Sequence, residues 1–199
     1  MMNALSYDYR IEEEPRYEII GGEKIYMAAS PNAGHNTVVN QLTILFGNYF
    51  NMKCIGAGIF TDTDVHLPDG DVFRPDFCVV CDLDIVSEES TIYGVPDLVV
   101  EVLSRSTAKK DFGIKKNSYE KHGVKEYWIV NIKDKSVQVY LLKDGKYDLD
   151  YVYQKFSDND LKLLEDKERA AIKYEIPVSI FDDLVIDVRK IFRWWNEPA

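Results

Sequence analysis

The chain has 199 residues, of which 46% are hydrophobic and 29% charged, a globular composition that excludes a wholly disordered chain. Its net charge of −10 argues against a uniformly polyanion-binding surface. No apolar run approaches the ~18 residues a membrane span needs, and residues 1–14 are polar and acidic without the apolar stretch of a secretory signal, so a cytoplasmic location is expected. Length predicts one domain, with residues 1–15 as an N-terminal extension and residues 155–199 as a C-terminal segment packed on the core. The three cysteines are Cys54, Cys78 and Cys81. Cys78 and Cys81 form a CxxC, but no second Cys or His pair stands at zinc-ligand spacing, so they read as small hydrophobic residues in a reducing compartment.

In chain order, residues 16–28 read as a β-hairpin around Gly21-Gly22, broken afterwards by Ser30-Pro31-Asn32. Val38, Leu42, Leu45, Phe46 and Tyr49 recur at helical spacing and predict a helix over 36–50. Residues 59–67 and 72–80 flank Pro68-Asp69-Gly70-Asp71 and predict a second hairpin. A loop with one helical turn is expected over 82–94. Residues 98–103, Leu-Val-Val-Glu-Val-Leu, form a nearly continuous apolar run and predict a strand covered on both faces. A helix follows from about Ser104 to His122, stopped by Gly123. Residues 127–130 read as another buried strand, and Lys143-Asp144-Gly145-Lys146 as the turn of a third hairpin. After a charged stretch come residues 180–188 and an aromatic end with Phe192, Trp194 and Trp195. This order implies an α/β fold with a mixed sheet carrying helices.

Three residues break the core pattern. Glu101 stands in the middle of the buried strand, where an ionised carboxylate is costly unless it is paired or bound to a metal. Asp76 follows Arg74-Pro75 and precedes an unbroken apolar run. Two acids on consecutive strands can lie a few ångströms apart and repel unless a cation sits between them. Mg²⁺ or Mn²⁺ suits such a pair, because oxygen ligands leave water positions for a phosphate. Lys115 emerges from helical projection at about 100° per residue: with Ala108 at 0°, Phe112 falls near 40°, Lys115 near −20° and Tyr119 near 20°. Lys116, near 80°, lies on the margin of that apolar stripe. Asp111 is placed to steady Lys115 as an i,i+4 pair. Residues 105–125 hold seven bases and two acids, so this segment is +5 and leaves the rest of the chain at −15. Arg105, Lys109, Lys110 and Lys116 are its candidate phosphate contacts, against the alternative of a solvated helix face.

An Asp, a Glu and a Lys converging from two strands and a helix resemble the PD-(D/E)XK phosphodiesterases. Arg74-Pro75-Asp76, Pro96-Asp97 leading into Leu98-Val99-Val100-Glu101-Val102-Leu103-Ser104, Asp111-Phe112-Gly113 with Lys115 and Tyr119, and Gly123-Val124-Lys125-Glu126-Tyr127-Trp128-Ile129-Val130 resemble, more closely, the Uma family of restriction-endonuclease-like proteins. The likeness spans residues 10–190 or so, including His35. It implies a three-layer restriction-endonuclease-like fold, with a central mixed sheet flanked by helices and extra hairpins, and metal-dependent hydrolysis of DNA. By position it makes Asp76 and Glu101 metal ligands, with the Val102 carbonyl completing the shell. His35, Asp97 and Tyr119 become accessory residues. Leu103 occupies the lysine position of the motif, so Lys115 supplies the positive charge from the helix. The implied partner is DNA, held through its backbone, and related folds often pair as homodimers. The competing reading is a non-catalytic nuclease-fold protein that binds DNA or a protein.

Overall fold

The computed structural model describes residues 15–27, 32–104 and 107–193. The extension at 1–14, the break at Ser30-Pro31, Arg105, Trp194 and Trp195 lie outside them. Strands β1 (Tyr17–Ile20) and β2 (Glu23–Tyr26) form the first hairpin, and the turn between them runs through Gly21 and Gly22, both at positive φ. Helix α1 (Ala33–Lys53) starts on Asn32, whose side chain accepts the His35 N–H, and buries Val38, Leu42, Phe46, Tyr49 and Phe50.

The predicted second hairpin divides between two sheets. Its tip pairs β4 (Val65–His66) with β5 (Val72–Phe73). Its outer ends, β3 (Gly58–Phe60) and β6 (Phe77–Val80), pair with each other elsewhere. Pro75, lacking a donor and fixing φ, stands between β5 and β6 and ends the first pairing; only its carbonyl is used, by the Asp62 N–H. The expected loop over 82–94 contains a strand, β7 (Ile92–Tyr93), parallel to β4. The small sheet therefore runs β2-β1-β5-β4-β7.

The large sheet runs β11-β10-β9-β8-β6-β3, built on β8 (Leu98–Val102), β9 (Glu126–Asn131), β10 (Ser136–Lys143) and β11 (Lys146–Gln154). β8 and β9 are parallel and the other neighbours antiparallel, the mixed sheet expected. Asp144 and Gly145, both at positive φ, make the predicted third turn. The residue alternation of the strands splits the core in two. On one face Phe77, Val79, Leu98, Val100 and Trp128 pack on α1. The C-terminal segment joins them there with Ile176, Val178, Ile186 and Ile191. On the other face Cys78, Val80, Val99, Tyr127 and Ile129 meet Tyr119 and the small sheet's Ile20, Val65, Phe73 and Ile92. Each fully buried side chain of this size contributes roughly 1.5–3 kcal/mol.

The helix after β8 has three parts: α2 (Ala108–Lys110), a π turn (Asp111–Lys115) and α3 (Lys116–His122), closed by Gly123 in the left-handed region. The C-terminal segment adds α4 (Asp158–Leu163), α5 (Asp166–Ala171), the pair β12 (Glu175–Pro177) and β13 (Val185–Asp187), and α6 (Val188–Ile191). Among the described residues no helix is long and apolar enough to cross a membrane.

Candidate active site

Glu101 is fourth in β8 and alternates with the Val100 and Val102 that pack on α1, so its side chain enters the opposite layer. There it is 3% exposed and meets Lys115 and Tyr119. Its Oε1 accepts from Lys115 Nζ at 3.0 Å and from the Tyr119 hydroxyl at 3.1 Å. The π turn sets this geometry, because it breaks the regular helical phase assumed in the projection. The buried face centres on Asp111, Lys115, Ser118 and Tyr119, and Phe112, expected in the apolar stripe, turns 42% exposed to solvent. Such turns recur at functional sites.

Lys115 is 3% exposed, so its ammonium stays within the core. Its Nζ lies 2.7 Å from Glu18 Oε1 and 3.9 Å from Asp111 Oδ1. Glu18 escaped the sequence reading. The signal was available: in Tyr17-Glu18-Ile19-Ile20 a two-residue period puts Glu18 on the same face as Ile20, which is buried in the core. Glu18 also takes the Arg74 N–H at 3.5 Å and the Lys110 ammonium at 3.7 Å.

Asp76 stands one residue before β6. Extending the Phe77↔Val100 pairing by one residue sets it opposite Glu101, and directly opposed residues have Cβ atoms about 4.5–5.5 Å apart. Its carboxylate has a 23% exposed side chain and spans two elements. Oδ2 accepts the Val102 N–H at 2.7 Å, and Oδ1 lies 3.0 Å from His35 Nε2. Thus α1 delivers His35 from its first turn to the strand acid. The group of Val102 that meets Asp76 is its N–H, whereas the sequence reading looked to its carbonyl. Asp97 is not part of this cluster: it precedes β8 and binds the Cys81 N–H and Lys125 instead. Four residues of extended chain, about 13 Å, separate it from Glu101.

The basic segment is largely engaged. Lys110 reaches Glu18, Lys116 lies 3.7 Å over the Tyr140 ring, Lys121 pairs with Asp69 and Lys125 with Asp97, while Lys109 is exposed.

The electrostatics are unbalanced. Burial pushes the Glu101 carboxyl well above the usual range; Lys115 pulls it back, and Asp111, Asp76 and Glu18 raise it further. Burial also lifts Asp111 to about 6, and both its oxygens are buried without a hydrogen-bond partner. Burial works against the Lys115 charge, but Glu101, Glu18 and Asp111 hold the ammonium protonated. Burial thus opposes ionisation of Glu101 and Asp111 even beside the Lys115 ammonium. Burial lowers the His35 pKa, but Asp76, with Asn36 and Asp62, raises it by more in total.

A divalent ion fits this donor set. Among the described residues no group of three or more His, Cys, Asp or Glu side chains is arranged to hold a metal. Mg²⁺, however, binds through one or two carboxylates and keeps several waters, and Asp76 and Glu101 provide two hard oxygen donors. The Asp111 carboxylate, 3.9 Å from Lys115 and raised by burial, adds to the negative charge there.

Residues 4–168 match the model of the Uma2 family, described as "putative restriction endonuclease". No curated protein matches the chain. Among solved structures, a "putative nuclease" belonging to DUF820 from Anabaena variabilis is 19% identical, with 90% of this chain and 91% of that one covered and a TM-score of 0.66. It supports the restriction-endonuclease-like fold. A DrdV–DNA complex solved by cryoEM matches 65% of this chain and 13% of that one at 10% identity, with a TM-score of 0.31 that carries no argument.

Proposed function

We propose that this chain, which belongs to the Uma2 family, hydrolyses phosphodiester bonds of DNA at the cluster of Asp76, Glu101 and Lys115, with Mg²⁺ or Mn²⁺ held by the two carboxylates. One observation carries the reading: a buried lysine shared by Glu101 and Glu18, beside Asp111, with Asp76 half-open at the rim. A core selected for packing alone gains nothing from four carboxylates and an ammonium, since desolvating such groups costs several kcal/mol per ion.

The bound ion would supply a water of lowered pKa and neutralise charge on the attacked phosphate. Around it the chain does the positioning. The Val102 N–H and His35 hold the two oxygens of Asp76 in a fixed orientation. Tyr119 and Lys115 hold Glu101 in the same way. Lys115, buried between Glu101 and Glu18, would fix the Glu101 carboxylate and place positive charge behind it, in place of the motif lysine replaced by Leu103. Lys109, with Lys110 and Lys116 on the same helix, would meet the backbone of DNA without reading bases.

Metal-dependent nicking of supercoiled plasmid tests this. Wild type is expected to nick with Mg²⁺ and not with EDTA. Glu101→Gln, which keeps the hydrogen-bonding shape, is expected to lose on the order of a hundredfold or more. Equal rates in the two proteins would remove Glu101 from the chemistry. One observation favours the second reading, an inert fold that only binds: the Lys115 ammonium and both oxygens of Asp76 already have partners within the chain. Binding without nicking in any divalent ion would establish it.

A further inference from the structure

The small sheet buries one face, and its other face is open at both ends among the described residues, where Tyr26 and Tyr93 stand, while Val72 at its middle is 7% exposed. Glu18, Ile20, Val65, Phe73 and Ile92 point inward. Strand pairing then places the alternate residues in one outward row: Lys24 beside Ile19, Ile19 beside Val72, Val72 beside His66, His66 beside Tyr93. Tyr17 and Tyr26 pair in the next row. Tyr26 and Tyr93 are each 59% exposed. A solvated sheet face needs no rings, and stability alone does not account for two rings left this open at opposite ends of the sheet.

The rings are arranged in two pairs. His66 and Tyr93 stack at 4.8 Å and 29°, while Tyr17 and Tyr26 meet edge to face at 6.5 Å. Lys24 lies 3.6 Å from the Tyr17 centroid and forms no ion pair among the described residues. Between the pairs runs a cleft of about 180 Å³ lined by Arg16, Tyr17, Asp64, His66, Val72 and Arg74. It is smaller than the roughly 300 Å³ at which small-molecule pockets begin. Arg16 pairs with Asp62 and Arg74 with Asp64. This face reaches the rim of the candidate site at its Asp76 end, because Arg74 lines the same cleft as Tyr17 and stands two residues before Asp76.

We propose that this face docks an unpaired nucleic-acid strand, with bases stacked on the Tyr17/Tyr26 and His66/Tyr93 pairs and phosphates met by Lys24, leading toward Asp76. The inference rests on the nuclease reading and deepens it: the substrate carries a single-stranded segment beside the cleaved bond. Stacking needs bases whose faces are free, which a duplex does not offer. Aromatic platforms with interleaved cations are the physical form such binding takes.

Fluorescence anisotropy in EDTA, with a labelled 12-nucleotide oligothymidylate and a blunt duplex of equal length, tests it on the full chain. Wild type and Glu101→Gln should both bind the single strand more tightly than the duplex. Tyr17→Leu and Tyr93→Leu should each weaken single-strand binding about fivefold or more, the low end for one stacked base. Lys24→Gln, fully on the surface, should flatten the salt dependence by about 0.7 in log–log slope. Equal affinity for the two probes, or unchanged binding in all three variants, overturns the proposal. If plasmid nicking persists in that case, the nuclease reading stands without it; absence of both binding and nicking ends both. A dimer that dissociates on Tyr93→Leu, with oligothymidylate binding unaffected, would assign the face to a second copy of the chain and overturn the proposal.

Discussion

Two buried carboxylates lie on opposite faces of the same sheet and are treated in opposite ways. Glu126, at the start of β9, is fully buried beneath the C-terminal segment. Its Oε1 takes the Trp128 indole N–H at 2.6 Å, and its Oε2 takes the N–H and hydroxyl of Ser179 at 2.7 and 2.6 Å. Its hydrogen-bond donors are all neutral and belong to two short pieces of chain, and burial still raises its pKa, against the lowering effect of those donors. Glu101 has a lysine and a tyrosine, but also three further acids within electrostatic reach. The difference separates a latch from a site. A carboxylate saturated by fixed neutral donors ties segments together and has no use for another ligand. One held among excess negative charge remains short of a cation, and a proton or a metal can supply it.

Removing the central charge should break the comparison most severely. Lys115→Met keeps the stem volume but leaves Glu18, Glu101 and Asp111 without their cation. A loss of about 3–5 kcal/mol at pH 7.5 is expected from urea unfolding, as for other broken buried pairs. The sign follows from Glu101 and Asp111: their folded pKa values, already raised by burial, then rise further, so the deficit is fully expressed at high pH and fades as pH falls toward the unfolded value near 4. Lys116→Met, which removes a contact with the Tyr140 ring and an attraction to Glu120, should cost no more than about 1 kcal/mol. Equal costs for the two would show that the cluster is not charge-coupled. On the other face, Glu126→Ala strands three donors and opens a void, so a loss of about 2–4 kcal/mol is expected with nicking per folded molecule unchanged. A Glu126→Ala protein that folds normally but loses activity would dissolve the distinction between latch and site.

The elements were legible where the sequence pattern is local. The all-apolar run of β8, the glycine turns of the first and third hairpins and the Gly123 stop each follow from a few neighbouring residues. Glu101, Asp76 and Lys115 stood out because each interrupts such a run, and the structure brings His35 to Asp76 and Tyr119 to Glu101. What stayed hidden depends on distant partners. Nothing between 59 and 80 says that one hairpin will serve two sheets, since that depends on β1 and β8 claiming β5 and β6. Glu18 reaches Lys115 across nearly a hundred residues of chain. The π turn is a local event without a local signature, and it exchanged Phe112 for Asp111 on the buried face.

Asp111 gives the last and smallest test, because it measures the charge deficit directly. Burial raises its carboxyl to about 6, with Lys115 at 3.9 Å lowering it and Asp76 and Glu18 adding to the rise. In an unfolded chain an aspartate titrates near 3.9. Between about pH 4 and 6 the folded protein therefore holds a proton that the unfolded chain has released. Stability must fall as pH rises through that window, by about 2–3 kcal/mol for a gap of about two units. Asp111→Asn keeps the shape and cannot titrate. It should match wild type near pH 4 and exceed its stability by about 2 kcal/mol at pH 7.5, read as a higher urea midpoint. Were Asp111 an ordinary partner of Lys115, the order at pH 7.5 would reverse. Magnesium sharpens the contrast: an ion in the cluster should stabilise wild type more than Asp111→Asn at pH 7.5, and leave the effect of Glu126→Ala on the other face untouched.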